Sequence, residues 1–344
     1  MRPSTQRPDS GAARIPTATP PHVPEAAAPT PAPSPDNAAA IAPSLADTKA
    51  TAASDTAPSH PHPSRFHRLR QRALRHPGLW LGGGIALLLL GCALLSLVWT
   101  PHPPTAIQMH NRLAPASAQH WLGTDALGRD VASQLLVGVR SPLLVGLGAV
   151  GMGLIVGSAL GLLAAQQRGW VEAIILKCSD VAFAFPALLT AIMLAAVWGS
   201  GPLSATLAIG LFNIPTFARI SRAGARTVWT REFVQAARVA GKPRWRITLE
   251  HVLPHVAPVL IVQASVQFAL AILAEAGLSY LGLGTQPPQP SWGRMLADAQ
   301  TLLYQRPLLA VYPGLCIVLA VLGLNFLGDG LRDVLDPKMD VRLR

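Results

Sequence analysis

The sequence predicts an all-α polytopic membrane protein of about six transmembrane helices. Three observations carry that expectation. Half of the 344 residues are hydrophobic and only 13% are charged, against about 25% charged in an ordinary soluble domain. Six apolar runs follow one another between residues 78 and 328, each near the roughly 20 residues that cross a bilayer as a helix. The basic residues crowd beside alternate gaps between those runs, the pattern that orients a membrane chain.

Residues 1–64 are rich in Pro, Ala, Ser and Thr, as in PTATPPHVPEAAAPTPAPSP. Such a segment holds too little apolar surface to offset the entropy of ordering, so a disordered tail is expected there, ahead of a transmembrane domain over 65–344. It has no apolar core of a cleavable signal peptide, and the first run therefore reads as an uncleaved anchor.

The first run is 78–99 and the second 141–164. Gly146, Gly148, Gly151, Gly153, Gly157 and Gly161 in the second allow close helix contact, read here as ordinary membrane packing. The third run is 179–198, around Pro186. The fourth, 203–220, is interrupted by Asn213 and Pro215, and the fifth is 256–280. Glu275 falls late in the fifth, where a carboxylate is a candidate for substrate contact or else caps and pairs locally. The sixth run is 308–328.

On one side of these runs lie Arg65, Arg68, Arg70, Arg72 and Arg75, then Arg168 and Lys177, a large insert from Arg219 to Arg246, and the tail basics Arg332, Lys338, Arg342 and Arg344. The other side has Arg112, Arg129, Arg140, Arg294 and Arg306. This asymmetry puts both termini and the insert in the cytoplasm, with six crossings matching the parity. The net charge of +11 is thereby accounted for at the membrane, and a nucleic-acid partner is not expected. Cys92, Cys178 and Cys316 lie in or beside apolar runs with no CxxC pair, so neither a disulfide framework nor a Cys-based metal site is expected.

The insert, WTREFVQAARVAGKPRWRITLEHVLPHVAP over 229–258, is the most informative segment. Residues 229–240 are good helix formers. Gly241 suits a left-handed stop, and Pro243 opens a second helix through about His251, which Pro254 ends or kinks. A helix–turn–helix results. Ala236, Ala237 and Ala240 lack bulk, so a partner's surface can approach closely. On composition alone, a solvated basic hairpin touching anionic lipid headgroups fits equally well.

The order Gln235-Ala236-Ala237, Gly241, then Leu253-Pro254 resembles the coupling loop of ATP-binding-cassette (ABC) importer permeases. Three further segments narrow the resemblance to the dipeptide, oligopeptide and nickel permeases. They are HWLGTDALGRD from His120 to Asp130, AEAGLSYLGLG from Ala274 to Gly284 with PPQPSWGRML after it, and LGDGLRDVLDP from Leu327 to Pro337. Together they cover about residues 75–340, and the first typifies the second of the two permease subunits. The resemblance implies the type I importer permease fold in a bacterial inner membrane. It implies a homologous second permease, two ATP-binding subunits and an extracytoplasmic substrate-binding protein as partners. Gln235, Ala236, Ala237, Gly241, Leu253 and Pro254 would form the ATPase-coupling loop. Gln235 stands where the family usually has Glu, losing a charge that would strengthen a bond to an arginine, with Glu232 a neighbouring substitute. His251 stands at a usually apolar position.

In the HWLGTDALGRD stretch, Gly123 and Gly128 suit turns, and Asp125, Arg129 and Asp130 are placed to pair among themselves. Loop folding is the favoured role over substrate contact. Trp292 is expected as an interface anchor. Gly241-Lys242 lacks the Ser or Thr and the upstream Gly of a nucleotide-binding loop, so ATP is expected on the partner subunits and no cofactor on this chain. No Ser/His/Asp or HExxH arrangement is present and no metal site is expected. His251 and His255 read as a solvated or packed pair, and His102, His110 and His120 as loop residues that only a nickel-importing relative would make worth testing. Nickel is the alternative cargo. An ion-gradient-driven secondary transporter is the rival class, disfavoured by the scarcity of buried charges and the lack of an internal repeat. A non-transporting scaffold or sensor is the third reading.

Overall fold

The computed structural model describes residues 76–335. The Pro/Ala-rich head 1–64, the basic flank 65–75 and residues 336–344, including Lys338, Arg342 and Arg344, lie outside the described residues. Among the described residues the chain is helical and forms no named strand.

Helix α1, Pro77–Val98, opens on a proline, whose missing N–H falls where a helix start leaves donors unused. Helix α2, Val131–Gln167, contains one wide π-turn at Gly153–Gly157. Helices α3, Gly169–Ala184, and α4, Ala187–Trp198, meet at Pro186 with an 87° bend. Helix α5 is Pro202–Trp229 and the short α6 is Glu232–Val239. Helix α7, Arg244–Tyr280, holds a second π-turn at Thr248–Val252. The short α8, Trp292–Ala299, and α9, Leu308–Leu335, complete the chain. Five helices (α1, α2, α5, α7 and α9) are long and apolar enough to cross a membrane, and the bent α3–α4 pair makes six if it is one span.

Helices α2, α5 and α7 pack against one another at the centre. Helix α9 lies on α7 and carries α1 on its flank. The α1–α9 seam is close because Gly82 faces the Leu327 backbone and Gly330 faces Leu79. One buried cluster, including Phe217, Trp229, Val234, Ile247, Val252 and Val256, joins α2, α5, α6 and the start of α7. A second, including Val131, Ile272, Trp292 and Ala320, joins α2, α7, α8 and α9 toward the other end.

Four expectations need correction. The third run is not one continuous helix over 179–198. Its first helix starts at Gly169 and breaks at Phe185, whose extended backbone (φ −82, ψ 128) is what a following proline imposes. Asn213 and Pro215 do not interrupt the fourth run, because both are buried inside the continuous α5. Asn213 Oδ1 there accepts from Gln267 Nε2 of α7 at 2.7 Å. Pro254 does not end the second hairpin helix, which continues to Tyr280. The π-turn at Thr248–Val252 shifts the bonding register just ahead of the proline and absorbs the missing donor. Trp292 is not an interface anchor: it is 3% exposed and its Nε1 donates to the Leu135 carbonyl at 3.1 Å.

Candidate functional site

The hairpin over 229–258 is built by a few local bonds. Helix α6 closes with the two reversed bonds of a Schellman stop: Gly241 N donates to Arg238 O at 3.0 Å and Lys242 N to Ala237 O at 3.2 Å. That stop requires a left-handed residue, and Gly241 has φ +77. The expectation of a glycine stop at 241 therefore agrees with the geometry.

Burial fixes which way α6 faces. Val234 is fully buried against Trp229, Ile247, Val252 and Val256, and Ala237 and Leu253 pack on the same cluster. Gln235, Ala236, Arg238, Val239 and Ala240 are turned outward, with Val239 91% exposed. Pro254 is also exposed. Of the six residues expected to form a coupling loop, Gln235, Ala236, Gly241 and Pro254 are exposed, while Ala237 and Leu253 seat the hairpin on the bundle.

Gln235 has a role of its own. Its Nε2 donates to the Trp229 carbonyl at 2.9 Å, and its Oε1 accepts from Arg238 at 3.3 Å. A carboxylate has no N–H and could not satisfy the carbonyl at the end of α5. The amide therefore fits its intrachain partners as the usual Glu would not.

The hairpin is tied down at three points. Lys242 Nζ pairs with Glu250 at 2.8 Å across the turn. Thr248 Oγ1 lies 3.0 Å from Gln166 Oε1 at the end of α2. Phe233 stacks on His255, with ring centroids 5.0 Å apart, and His255 Nδ1 contacts the His251 carbonyl at 2.7 Å. His251 and His255 are thus a packed pair, although Glu250 does lie 4.0 Å from His251. Nearby, Arg222 and Arg226 of α5 both grip Glu172 of α3, the latter at 3.2 Å.

Farther along α7, Glu275 is fully buried. Its Oε1 accepts from Ser141 at 2.7 Å and Ser279 at 2.7 Å, with Thr285 at 3.4 Å. The carboxylate thereby ties α2, α7 and the following loop together. Replacing it with leucine (Glu275→Leu) leaves buried hydroxyls without their acceptor, so thermal unfolding of the purified chain will show a loss of about 1–3 kcal/mol. Glu275→Gln keeps an acceptor oxygen and will lose less; equal losses would mean the hydroxyls do not depend on it.

A second polar pair lies beside an apolar pocket. A pocket between α4, α5 and α7 is lined by Leu188, Phe212, Asn213, Gln267 and Leu270 among others. It places the Asn213–Gln267 pair in apolar surroundings, with Asn213 Nδ2 left without a partner. Sequence reasoning took Asn213 only as an interruption. At the other end of α2, Asp125 pairs with Arg129 at 2.7 Å as expected. Asp130 does not join that pair. It caps α2 by accepting from Ser133 N at 2.8 Å and contacts His120 Nδ1 at 3.0 Å. His102, His120 and Asp130 come together there as the one group among the described residues able to hold a metal ion.

A family model described as "Binding-protein-dependent transport system inner membrane component" matches residues 157–341. The glutathione transport system permease protein GsiD of Pectobacterium atrosepticum is 40% identical over 271 residues, 78% of this chain and 90% of that protein. The dipeptide transport system permease protein DppC of Alkalihalophilus pseudofirmus is 43% identical over 229 residues, 67% of this chain and 75% of that protein. A solved inward-facing structure of the MetNI methionine ABC transporter aligns with a TM-score of 0.49 at 18% identity, over 58% of this chain and 96% of that one.

Proposed function

The chain belongs to the family of binding-protein-dependent transport system inner membrane components, and from that membership we propose that it forms half of the translocation pathway of an ABC importer for short peptides. As a multi-pass inner-membrane transport subunit it works with other components: in this reading a homologous permease, two ATPase subunits and an extracytoplasmic binding protein. The observation that carries the coupling role is the α6 hairpin. Its buried Val234 and Schellman stop hold a stiff, outward face of Gln235, Ala236, Val239 and Ala240, a shape suited to seating in a cleft of an ATPase.

The basic residues beside that hairpin support a cytoplasmic position for it and for both termini. The transport domain in this reading spans 65–344, with 1–64 outside it. ATP is hydrolysed on the partner subunits. Their closure pushes on the 235–254 hairpin, and the two permeases switch between inward- and outward-open states, because each nucleotide state binds one arrangement more tightly. Because Asn213 and Gln267 put polar groups into an apolar pocket, we assign them to the pathway lining.

Peptide cargo is supported by relatives named as glutathione, dipeptide and di/tripeptide permeases. Vesicles carrying this chain and its co-purifying subunits, given ATP and binding protein, are expected to accumulate labelled dipeptide, and vesicles lacking this chain are not. Accumulation of nickel instead of dipeptide would overturn the peptide reading, and uptake without ATP would overturn the importer class.

A further inference from the structure

Three residues from separate local segments meet at the start of α2. His102 comes from the loop after α1, His120 from the turn before α2, and Asp130 from its N-cap. Their candidate ligand atoms lie within 4.8 Å of one another. His120 Nδ1 is 3.0 Å from Asp130 Oδ1, and His102 Nδ1 is 3.9 Å from Asp130 Oδ2. The two imidazoles face each other with centroids 4.6 Å apart.

The backbone presets this arrangement. His102 N donates to Ser133 Oγ at 2.9 Å, and His120 N to Ser117 Oγ at 3.1 Å. Thr124 bridges Asp130 across the intervening turn. His120 and Asp130 are both buried. A plain hydrogen-bonded cluster accounts for the His120–Asp130 contact and for the cap. It leaves one group unexplained: His102 Nδ1 is buried, aimed at the carboxylate, and has no hydrogen-bond partner.

A metal ion answers that group. Ligand bonds of about 2.0–2.2 Å in a tetrahedral site separate neighbouring ligand atoms by about 3.3 Å; His120 Nδ1 and Asp130 Oδ1 are 3.0 Å apart, and one ligand atom from each of the three residues lies within 4.8 Å of the others. Two imidazoles and one carboxylate suit a borderline first-row ion. Calcium or magnesium would call for more oxygen ligands than this cluster offers.

We propose that His102, His120 and Asp130 bind one divalent transition-metal ion, Zn2+ or a close relative, as a resident clip that fastens the loop after α1 to the start of α2. The ion is a part of the fold, distinct from the transported cargo.

The chain carries ten histidines, so the test compares variants. The full-length chain, purified with its co-purifying subunits through a tag free of histidine, is stripped with chelator and titrated with ZnCl2. Wild type is expected to bind one equivalent more than His102→Ala, or to bind it more than about 10-fold tighter, a loss that even outer partners of a metal site produce. His102→Cys restores a zinc ligand and the lost equivalent. Zn2+ raises the unfolding temperature of wild type and of His102→Cys but not of His102→Ala. The His102 side chain makes no hydrogen bond among the described residues, so its removal leaves the apo fold intact, as tryptophan fluorescence will report. Equal zinc stoichiometry and equal thermal shifts for wild type and His102→Ala would overturn the site. A zinc-dependent shift that persists without His102 would put the bound ion on other ligands and overturn the clip. Dipeptide uptake is scored separately, so failure of the clip leaves the importer reading untouched.

Discussion

Replacing Gly241 with valine (Gly241→Val) will lower ATP-driven uptake about 10-fold or more while the chain still inserts and accumulates in the membrane. The reason is conformational. Gly241 holds φ +77, where a β-branched residue is strained by about 1–3 kcal/mol, and about 1.4 kcal/mol already shifts a population tenfold. The two bonds that stop α6, Gly241 N to Arg238 O and Lys242 N to Ala237 O, exist only in that conformation. Losing them lets α6 fray and re-aims the face carrying Ala236 and Val239. A Cβ at 241 meets nothing within 4 Å in this chain, so no internal collision contributes and the bundle below is undisturbed. Gly241→Asn, which tolerates the left-handed region better, will therefore retain more uptake than Gly241→Val. Uptake and binding-protein-stimulated ATPase activity in proteoliposomes are the measurements. Wild-type values of both for Gly241→Val would remove the hairpin from the coupling pathway.

The sequence was most readable where one residue dictates its own backbone. Gly241 as a left-handed stop and Gly123 and Gly128 as turn positions follow from local chemistry, and all three have positive φ. The apolar runs were readable for the same reason, since hydropathy is a sum over neighbours. What escaped were properties fixed by partners distant in sequence. Asn213 looks like a flaw in an apolar run until Gln267 of another helix supplies its hydrogen bond. Trp292 has the composition of an interface anchor, but a notch left by Gly138, whose added Cβ would lie 3.1 Å from Trp292 Cδ1, lets it into the core. Pro254 reads as a stop until a π-turn ahead of it changes the register. The coupling role proposed for 235–254 came from resemblance. The inward bond of Gln235 to the Trp229 carbonyl was not, because nothing in the spacing says which way an amide turns.

Replacing Gly157 with leucine (Gly157→Leu) will have the larger effect on the molecule as a whole: the chain will fall several-fold in the membrane fraction. Gly153, Gly157 and Gly161 recur every fourth residue on one face of α2, and that face lies directly on α5. A Cβ at Gly157 would overlap the Ile214 carbonyl and stand 2.9 Å from Phe217 Cβ. At Gly153 it would stand 2.9 Å from Phe217 Cδ2, and at Gly161 it would strike the Ala218 carbonyl. At Gly157 and Gly161 the obstacles include the backbone of a neighbouring helix, so no side chain can swing aside and the helices must separate. Overpacking of this kind costs about 1–3 kcal/mol, and a loss of about 1–2 kcal/mol already changes abundance several-fold in a cell. Separation also opens the packing around Phe217, which is fully buried. Gly151 is the internal control: an added Cβ there meets nothing within 4 Å, so Gly151→Leu will accumulate at the wild-type level although it adds the same bulk to the same helix. Immunoblots of the membrane fraction and thermal unfolding of the purified chains compare the two. If both variants accumulate alike, the α2–α5 contact is not the seam that holds the bundle. If only Gly157→Leu is lost, the glycines of the second run serve helix packing, and α5 reaches α6 through Trp229 from a base that those glycines fix in place.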